Sequence, residues 1–448
     1  MTGVDAHREP PDEVAGAAQD ALLHDYALDA VPAEKRRGWY QMVAVWMGWS
    51  ISVSAFLVGG AIGAGTTFAD GMTAIIIGNL VLAVVGALVG LIGYRTGLTS
   101  YLLSRLVFGR YGSVATSVVL GILAMGFIGV LVDAFGDAMV ALVPAIPWTV
   151  VVLVFSVAIT LTAIFGFRGL AALSAVAVPA MLVLALLGLW RITVSEGGFS
   201  TVLSADPAEP IGFQVAIGAV IATWITGAAL AADIARYARR AWHIVVGAFA
   251  GYVLGAGFFE AAATMTAMEV GDPNFVTVMS ALGLLLPAAL VLLLALWTTT
   301  DNNLYSSALA FTNATKLLGG TIPKPVWTIV SVLIAIGVAF LGFASQFLSW
   351  LQIIATVTPP FGGILVTHFW AFGAIRRDPG QLQLEMPGVR VPALLAWIAA
   401  SVVTYYTNVF IKPITGFVLG GVFYAVAELV ARVIRRSGPE PSRMGAAS

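Results

Sequence analysis

Long uncharged, mostly apolar runs recur along almost the whole chain, at 41–69, 71–94, 111–132, 169–190, 210–232, 325–375 and 391–411. A bilayer's hydrocarbon core is roughly 30 Å thick and takes about 20 helical residues to cross. Each run is therefore long enough for one crossing, and 325–375 is long enough for two, divided at Ser345-Gln346. With 59% hydrophobic and only 10% charged residues, a chain of 448 residues cannot clothe a water-exposed surface and belongs to the polytopic membrane class. The formal net charge of -1 points to neither a nucleic acid nor an acidic surface as partner. Zero cysteines exclude disulfides, thiolate metal sites and a cysteine nucleophile.

These runs predict an all-α fold of twelve transmembrane helices, near 41–63, 71–94, 113–138, 146–166, 169–191, 212–232, 242–266, 284–313, 325–344, 346–371, 391–409 and 413–433. With the N-terminus inside, all of the 22 Lys and Arg residues except Arg191 and Lys412 fall on the cytoplasmic side. The positive-inside rule demands such an asymmetry, and moving the count by one helix destroys it. Both termini are thus expected in the cytoplasm of an inner-membrane protein. Residues 1–40 read as an acidic cytoplasmic tail without the basic and apolar regions of a signal peptide, and 434–448 as a second tail. The long outer connection 193–210 follows five helices, which suggests five-helix repeats at 41–191 and 212–371, with 391–433 as an added pair. The stretch 93–113 mixes apolar residues with Arg95, Arg105 and Arg110 and is expected to lie flat at the inner interface.

Two spans carry polar and small residues at mid-depth. The first reads "MGWSISVSAFLVGGAIGAG" and the sixth "IATWITGAAL", so breaks are expected over 48–54 and 223–227, whereas Gly59 to Gly63 suit close helix packing. The eighth reads "WTTTDNNLYSS". At 100° per residue Thr298, Asp301, Asn302 and Tyr305 share roughly one third of the circumference, with Thr299, Asn303 and Ser306 on the adjoining flank. An acid within a span is a functional candidate, either as a proton or gating group or as a hydrogen-bonded lock between helices. Hydroxyl and carbonyl oxygens are what a hard cation needs in exchange for its water, so Thr298 and Thr299 facing carbonyls freed from the first helix would seat one.

Several stretches in order resemble the nucleobase:cation symporter-1 family, most closely its cytosine permease branch: "YALDAVPAEKRRGW", 78–113, "ALSAVAVPA", "AADIARYARRA", "GLLLPA", "LWTTTDNNLYSSALAFTN" and "TPPFGG". The resemblance covers about residues 26 to 370. It implies two inverted five-helix repeats with discontinuous first and sixth helices, and import of a planar heterocyclic base by symport with Na+ or H+. It implies a cation site at the carbonyls near Gly48 and Ile51, at Ala295, and at the hydroxyls of Thr298 and Thr299. For the base, it implies stacking on Phe127 and Trp224 with polar contacts from Ser52, Thr223 and Thr226. A flat ring gains dispersion and offset stacking from two aromatic faces while a few polar groups read its edge. Where the family carries an edge-binding glutamine this chain has Ala124, and the family's asparagines in the eighth helix are Ala295 and Thr300. Those departures favour a heterocycle other than cytosine, such as a purine or a substituted pyrimidine.

Asp133 and Asp137 stand four apart in the third span, where they would either bind a proton or cation or make structural contacts. Glu260, Glu428 and the Asp233, Arg236 pair read as structural or gating groups. No Ser-His-Asp, metal-ligand or phosphate-loop arrangement accompanies them, so an enzyme is not expected. The expected partners are a small heterocyclic substrate and the lipid bilayer, with no nucleic acid and no obligate protein partner. An amino-acid or amine carrier of the same architecture, with Asp133 or Asp301 pairing the substrate's charge, is the alternative.

Overall fold

The computed structural model describes residues 31–165, 167–342, 346–377, 388–407 and 410–437. Most of the tail expected over 1–40, the end of the one at 434–448, Ser345 of the expected division and the side chain of Asn302 lie outside the described residues. In chain order the long helices are α1 (Trp39–Ser50), α2 (Val53–Gly65), α3 (Phe68–Thr96), α4 (Ser100–Phe108), α5 (Gly112–Leu142), α6 (Trp148–Phe165), α7 (Phe167–Val194) and α8 (Phe213–Ala229). Then come α9 (Ala241–Val270), α10 (Leu285–Leu317), α11 (Lys324–Phe340), α12 (Phe347–Ala371), α13 (Val391–Tyr406) and α14 (Lys412–Ser437). Among the described residues there is no strand beyond one isolated bridge, Arg37 with Ala238.

Seven helical stretches are long and apolar enough to cross a membrane, α1 and α2 form a pair bent by 58°, and α6, α8, α11 and α13 are shorter apolar helices. The outer surface is apolar as well as the core. Val154, Val157 and Leu161 of α6 face outward while Ser156 is buried, as expected where the surroundings are acyl chains.

The first span breaks where the sequence indicated. Ile51 and Ser52 are extended (φ −78°, ψ 107° and φ −148°, ψ 164°), so the last carbonyls of α1 find no amide four residues on. Two contacts hold the break. The Ser50 hydroxyl donates to the Gly251 carbonyl at 2.6 Å, and the Ser52 and Ser54 hydroxyls pair at 2.6 Å. Gly251 lies in a π-helical stretch, Ala250–Ala256, whose widened turn lets its carbonyl lean out of α9. Above the break, Gly59 and Gly63 press α2 onto the backbone of Glu260 and Thr264, and the Thr264 hydroxyl donates to the Gly59 carbonyl at 3.0 Å. This is the close packing that small residues permit.

The sixth span differs from the expectation. Residues 223–227 stay helical, and α8 ends instead at Leu230–Ala231, before a short turn of helix at Ala232–Ala235. The reason is local: the Thr223 hydroxyl bonds back to the Ala219 carbonyl at 2.9 Å, so a mid-span threonine satisfies itself without unwinding the helix. The Leu230 carbonyl is taken by the Ser100 hydroxyl at 3.1 Å. The Asp233 carboxylate accepts the Ser100 amide at 2.8 Å, so α4 is tied to the end of α8.

The amphipathic stretch 93–113 also departs from a flat interfacial segment. Helix α4 is buried along most of its length, and Phe108 stacks on Phe361 at 5.6 Å. Its apolar face is covered by protein rather than by lipid.

Candidate functional site

At the break between α1 and α2 the bundle encloses a cavity of about 190 Å³. That is below the roughly 300–1,000 Å³ of drug-sized sites and suits a small, compact ligand. Its walls are built element by element. The break contributes Gly48, Trp49, Ile51 and Ser52; α5 contributes Leu120, Leu123, Ala124 and Phe127; α8 contributes Thr223, Trp224 and Thr226. From α10 come Thr298, Thr299, Asn303 and Ser306, which recur at helical spacing and so line one wall.

Helix α10 presents its adjoining flank, together with Thr298, to this space. The Thr298 hydroxyl donates to the Ala295 carbonyl at 3.0 Å, leaving the lone pairs of its oxygen for a further partner. Ala295 itself is buried and does not line the cavity. Thr300 is fully buried and turned into its own helix, donating to the Leu296 carbonyl at 2.6 Å. Asp301 faces α6, where its Oδ1 accepts the Thr162 hydroxyl at 2.9 Å, and Trp297 donates to the same hydroxyl oxygen at 3.3 Å. Tyr305 does not line the cavity; it is partly exposed, with the Lys324 ammonium over its ring at 3.5 Å. Asp133 is buried in α5, about 9 Å along the axis from Phe127 and outside the cavity. Among the described residues no Asp, Glu, Lys, Arg or His side chain lines the cavity.

Two aromatic groups frame it. The Trp224 ring meets that of Trp49 edge-on at 5.5 Å, and Phe127 meets Phe347 edge-on at 6.2 Å. Trp49 in turn packs edge-on against Trp46, which is locked against Tyr252. A chain of aromatic contacts thus fixes the orientation of Trp224.

The sequence reading did not put Trp49, Ser54, Tyr101, Asn303 or Ser306 into the site, yet all line it. Trp49 had a signal in its neighbours Gly48 and Ser50, and Asn303 and Ser306 in the polar flank of their helix. Tyr101 had none, because only tertiary packing brings α4 inward.

The sequence profile of a family described as permeases for cytosine/purines, uracil, thiamine and allantoin matches residues 30–424. The chain belongs to this permease family. Among curated relatives, the permease is 32% identical over 346 residues to a cytosine permease of Escherichia coli strain K12, an alignment covering 77% of this chain and 81% of the relative. These relatives are permeases, not enzymes. Its fold is similar to the inward-facing conformation of Mhp1, with a TM-score of 0.79 at 18% identity over 90% of this chain and 93% of the other. A closed Mhp1 with bromovinylhydantoin bound, described as a nucleobase-cation-symport-1 family transporter, gives 0.74 at 19% identity over 92% and 95%. A Na+-coupled sialic acid symporter in a substrate-bound, outward-open state gives 0.63 at 14% identity over 92% of each chain. These structural likenesses establish a shared all-helical fold.

Proposed function

We propose that this permease is a secondary active transporter that imports a nucleobase or related planar heterocycle, of purine or pyrimidine type, by symport with sodium through alternating access. The observation that carries the reading is the cavity itself. It joins the broken first span and Thr298 and Thr299 to a pair of aromatic groups, with no Asp, Glu, Lys, Arg or His side chain on its wall among the described residues. A neutral flat ring stacks on Trp224 and Phe127, and its edge meets Ser52, Thr223 and Thr226. The printed names of the relatives, a cytosine permease and a hydantoin-bound Mhp1, support a heterocycle of this kind.

Sodium would enter as co-transported cargo. Carbonyls of Gly48 and Ile51, left without helical partners, and the Thr298 and Thr299 hydroxyls supply the neutral oxygens a hard monovalent cation takes. An amine carrier would need an acid facing its substrate, and neither Asp133 nor Asp301 lines the cavity. In the full arrangement twelve crossings form two inverted five-helix repeats and a final pair. Both termini lie in the cytoplasm of the inner membrane, by the asymmetry of Lys and Arg.

The deciding experiment is uptake of labelled cytosine, adenine and hypoxanthine into proteoliposomes with and without an inward sodium gradient. Sodium-stimulated accumulation of at least one base is expected, and uptake indifferent to the gradient rejects the coupling. Binding must also be reciprocal, sodium tightening the base and the base tightening sodium. Thr299→Ala is expected to raise the half-saturating sodium concentration roughly tenfold, the loss of one charge-assisted contact of about 1.5 kcal/mol, with an unchanged melting temperature. Trp224→Ala should raise the apparent KM for base by tenfold or more, through lost stacking and burial of about 1.5 kcal/mol, while sodium dependence persists.

A further inference from the structure

We propose that Asn303 reads the hydrogen-bonding edge of the transported base, one helical turn nearer the C-terminal end of α10 than the threonine pair. The inference rests on the functional reading above. Asn303 follows Thr299 by four residues on α10, so both share a face, about 6 Å apart along the axis, and both line the cavity. The Asn303 Nδ2 donates to the Thr299 carbonyl at 2.9 Å. That bond fixes the plane of the amide and leaves its second N–H and the Oδ1 lone pairs for another partner.

No other carboxamide lines the cavity among the described residues; the remaining polar groups there are hydroxyls, indoles and backbone. A hydroxyl rotates and offers one donor. A carboxamide held in one plane offers donor and acceptor side by side, the pattern that complements a ring nitrogen beside an amino group, or an N–H beside a carbonyl. Ala124 has no such group, and Thr300 spends its hydroxyl on its own helix. The cavity also continues past Asn303 to Ser306 and Ala310, about 10 Å further along α10, so its length accommodates a second fused ring.

The test measures binding of cytosine, adenine and hypoxanthine, each against its parent ring, pyrimidine or purine, to the purified full-length protein in sodium. Wild type is expected to bind at least one edge-bearing base roughly tenfold tighter than its parent ring, as one or two neutral hydrogen bonds allow. Asn303→Leu, of nearly equal size, should erase that ratio while changing affinity for the parent ring less than about threefold, since the ring still stacks. Asn303→Ser is the second variant should the leucine fail to fold, with the same expected loss of ratio. Trp224→Ala should instead weaken base and parent alike. A preserved wild-type ratio in either Asn303 variant overturns the assignment, as does a wild type with no preference for edge-bearing bases. If wild type binds none of the five compounds, the heterocycle reading falls first and this inference with it.

Discussion

Gly63→Leu is expected to yield little or no folded protein after detergent extraction, whereas Gly337→Leu melts as wild type does. A Cβ at Gly63 would lie 2.4 Å from the Thr264 carbonyl oxygen and 2.7 Å from Ala267 Cβ; at Gly59 the corresponding contacts are 2.5 Å to the Glu260 carbonyl oxygen and 2.7 Å to Ala263 Cβ. The obstacle is the main chain of α9, which cannot swing aside as a side chain could. Overpacking in a core costs about 1–3 kcal/mol, and a backbone obstacle puts this substitution at or above the top of that range. Without close approach, α2 also loses the bond from Thr264 to the Gly59 carbonyl. Gly337 on α11 has nothing within 4 Å of its would-be Cβ, so its variant controls for adding a leucine as such. A Gly63→Leu protein melting within a few degrees of wild type would refute the packing argument.

The second large effect is expected at Glu260. This carboxyl group is fully buried and its Oε2 meets the Asn79 amide at 2.5 Å, while its Oε1 and the Asn79 Oδ1 have no partner. Two orphan acceptors therefore sit in one apolar enclosure. Glu260→Ala should destabilise the protein by about 2–4 kcal/mol, because it opens a cavity and strips Asn79 of its partner. Glu260→Gln should match or exceed wild-type stability. Its carbonyl can accept from Asn79 and its amide can supply the donor that Asn79 Oδ1 lacks. Thermal melting of the two variants separates the cases. Equal loss in both would mean that the carboxyl group itself is required.

The sequence made the first break legible because its markers are local: glycine and serines at mid-span, with the residues that splay the chain next to the residues that satisfy it. The end of α8 was not legible for the opposite reason. Thr223, Thr226 and Gly227 look like breakers, yet Thr223 closes a bond within its own helix and Thr226 lies 3.4 Å from Thr358, hydroxyl to hydroxyl. The chain turns at Leu230–Ala231, two residues with no turn chemistry, because Ser100, 130 positions away, donates its hydroxyl to the Leu230 carbonyl. Helical periodicity grouped Thr298 with Asp301, but periodicity gives relative angles, not the direction of the cavity. The packing of α6 drew Asp301 to Thr162 and left Asn303 and Ser306 inside. The fold class needed only the lengths of the uncharged runs, which any crossing of a bilayer imposes.

The π-helical stretch Ala250–Ala256 has a mechanical corollary. Helix α9 grips the lower half-helix through Gly251 and Ser50, and the upper half-helix through Glu260 and Thr264 against Gly59 and Gly63. It thus serves as a splint spanning the fracture in its neighbour. The wide turn adds one residue between those two grips, and one residue is worth about 100° of azimuth. Both halves of the fractured rod are therefore indexed to a single gear, and neither can pivot at Ile51 alone without shedding its hold on that helix.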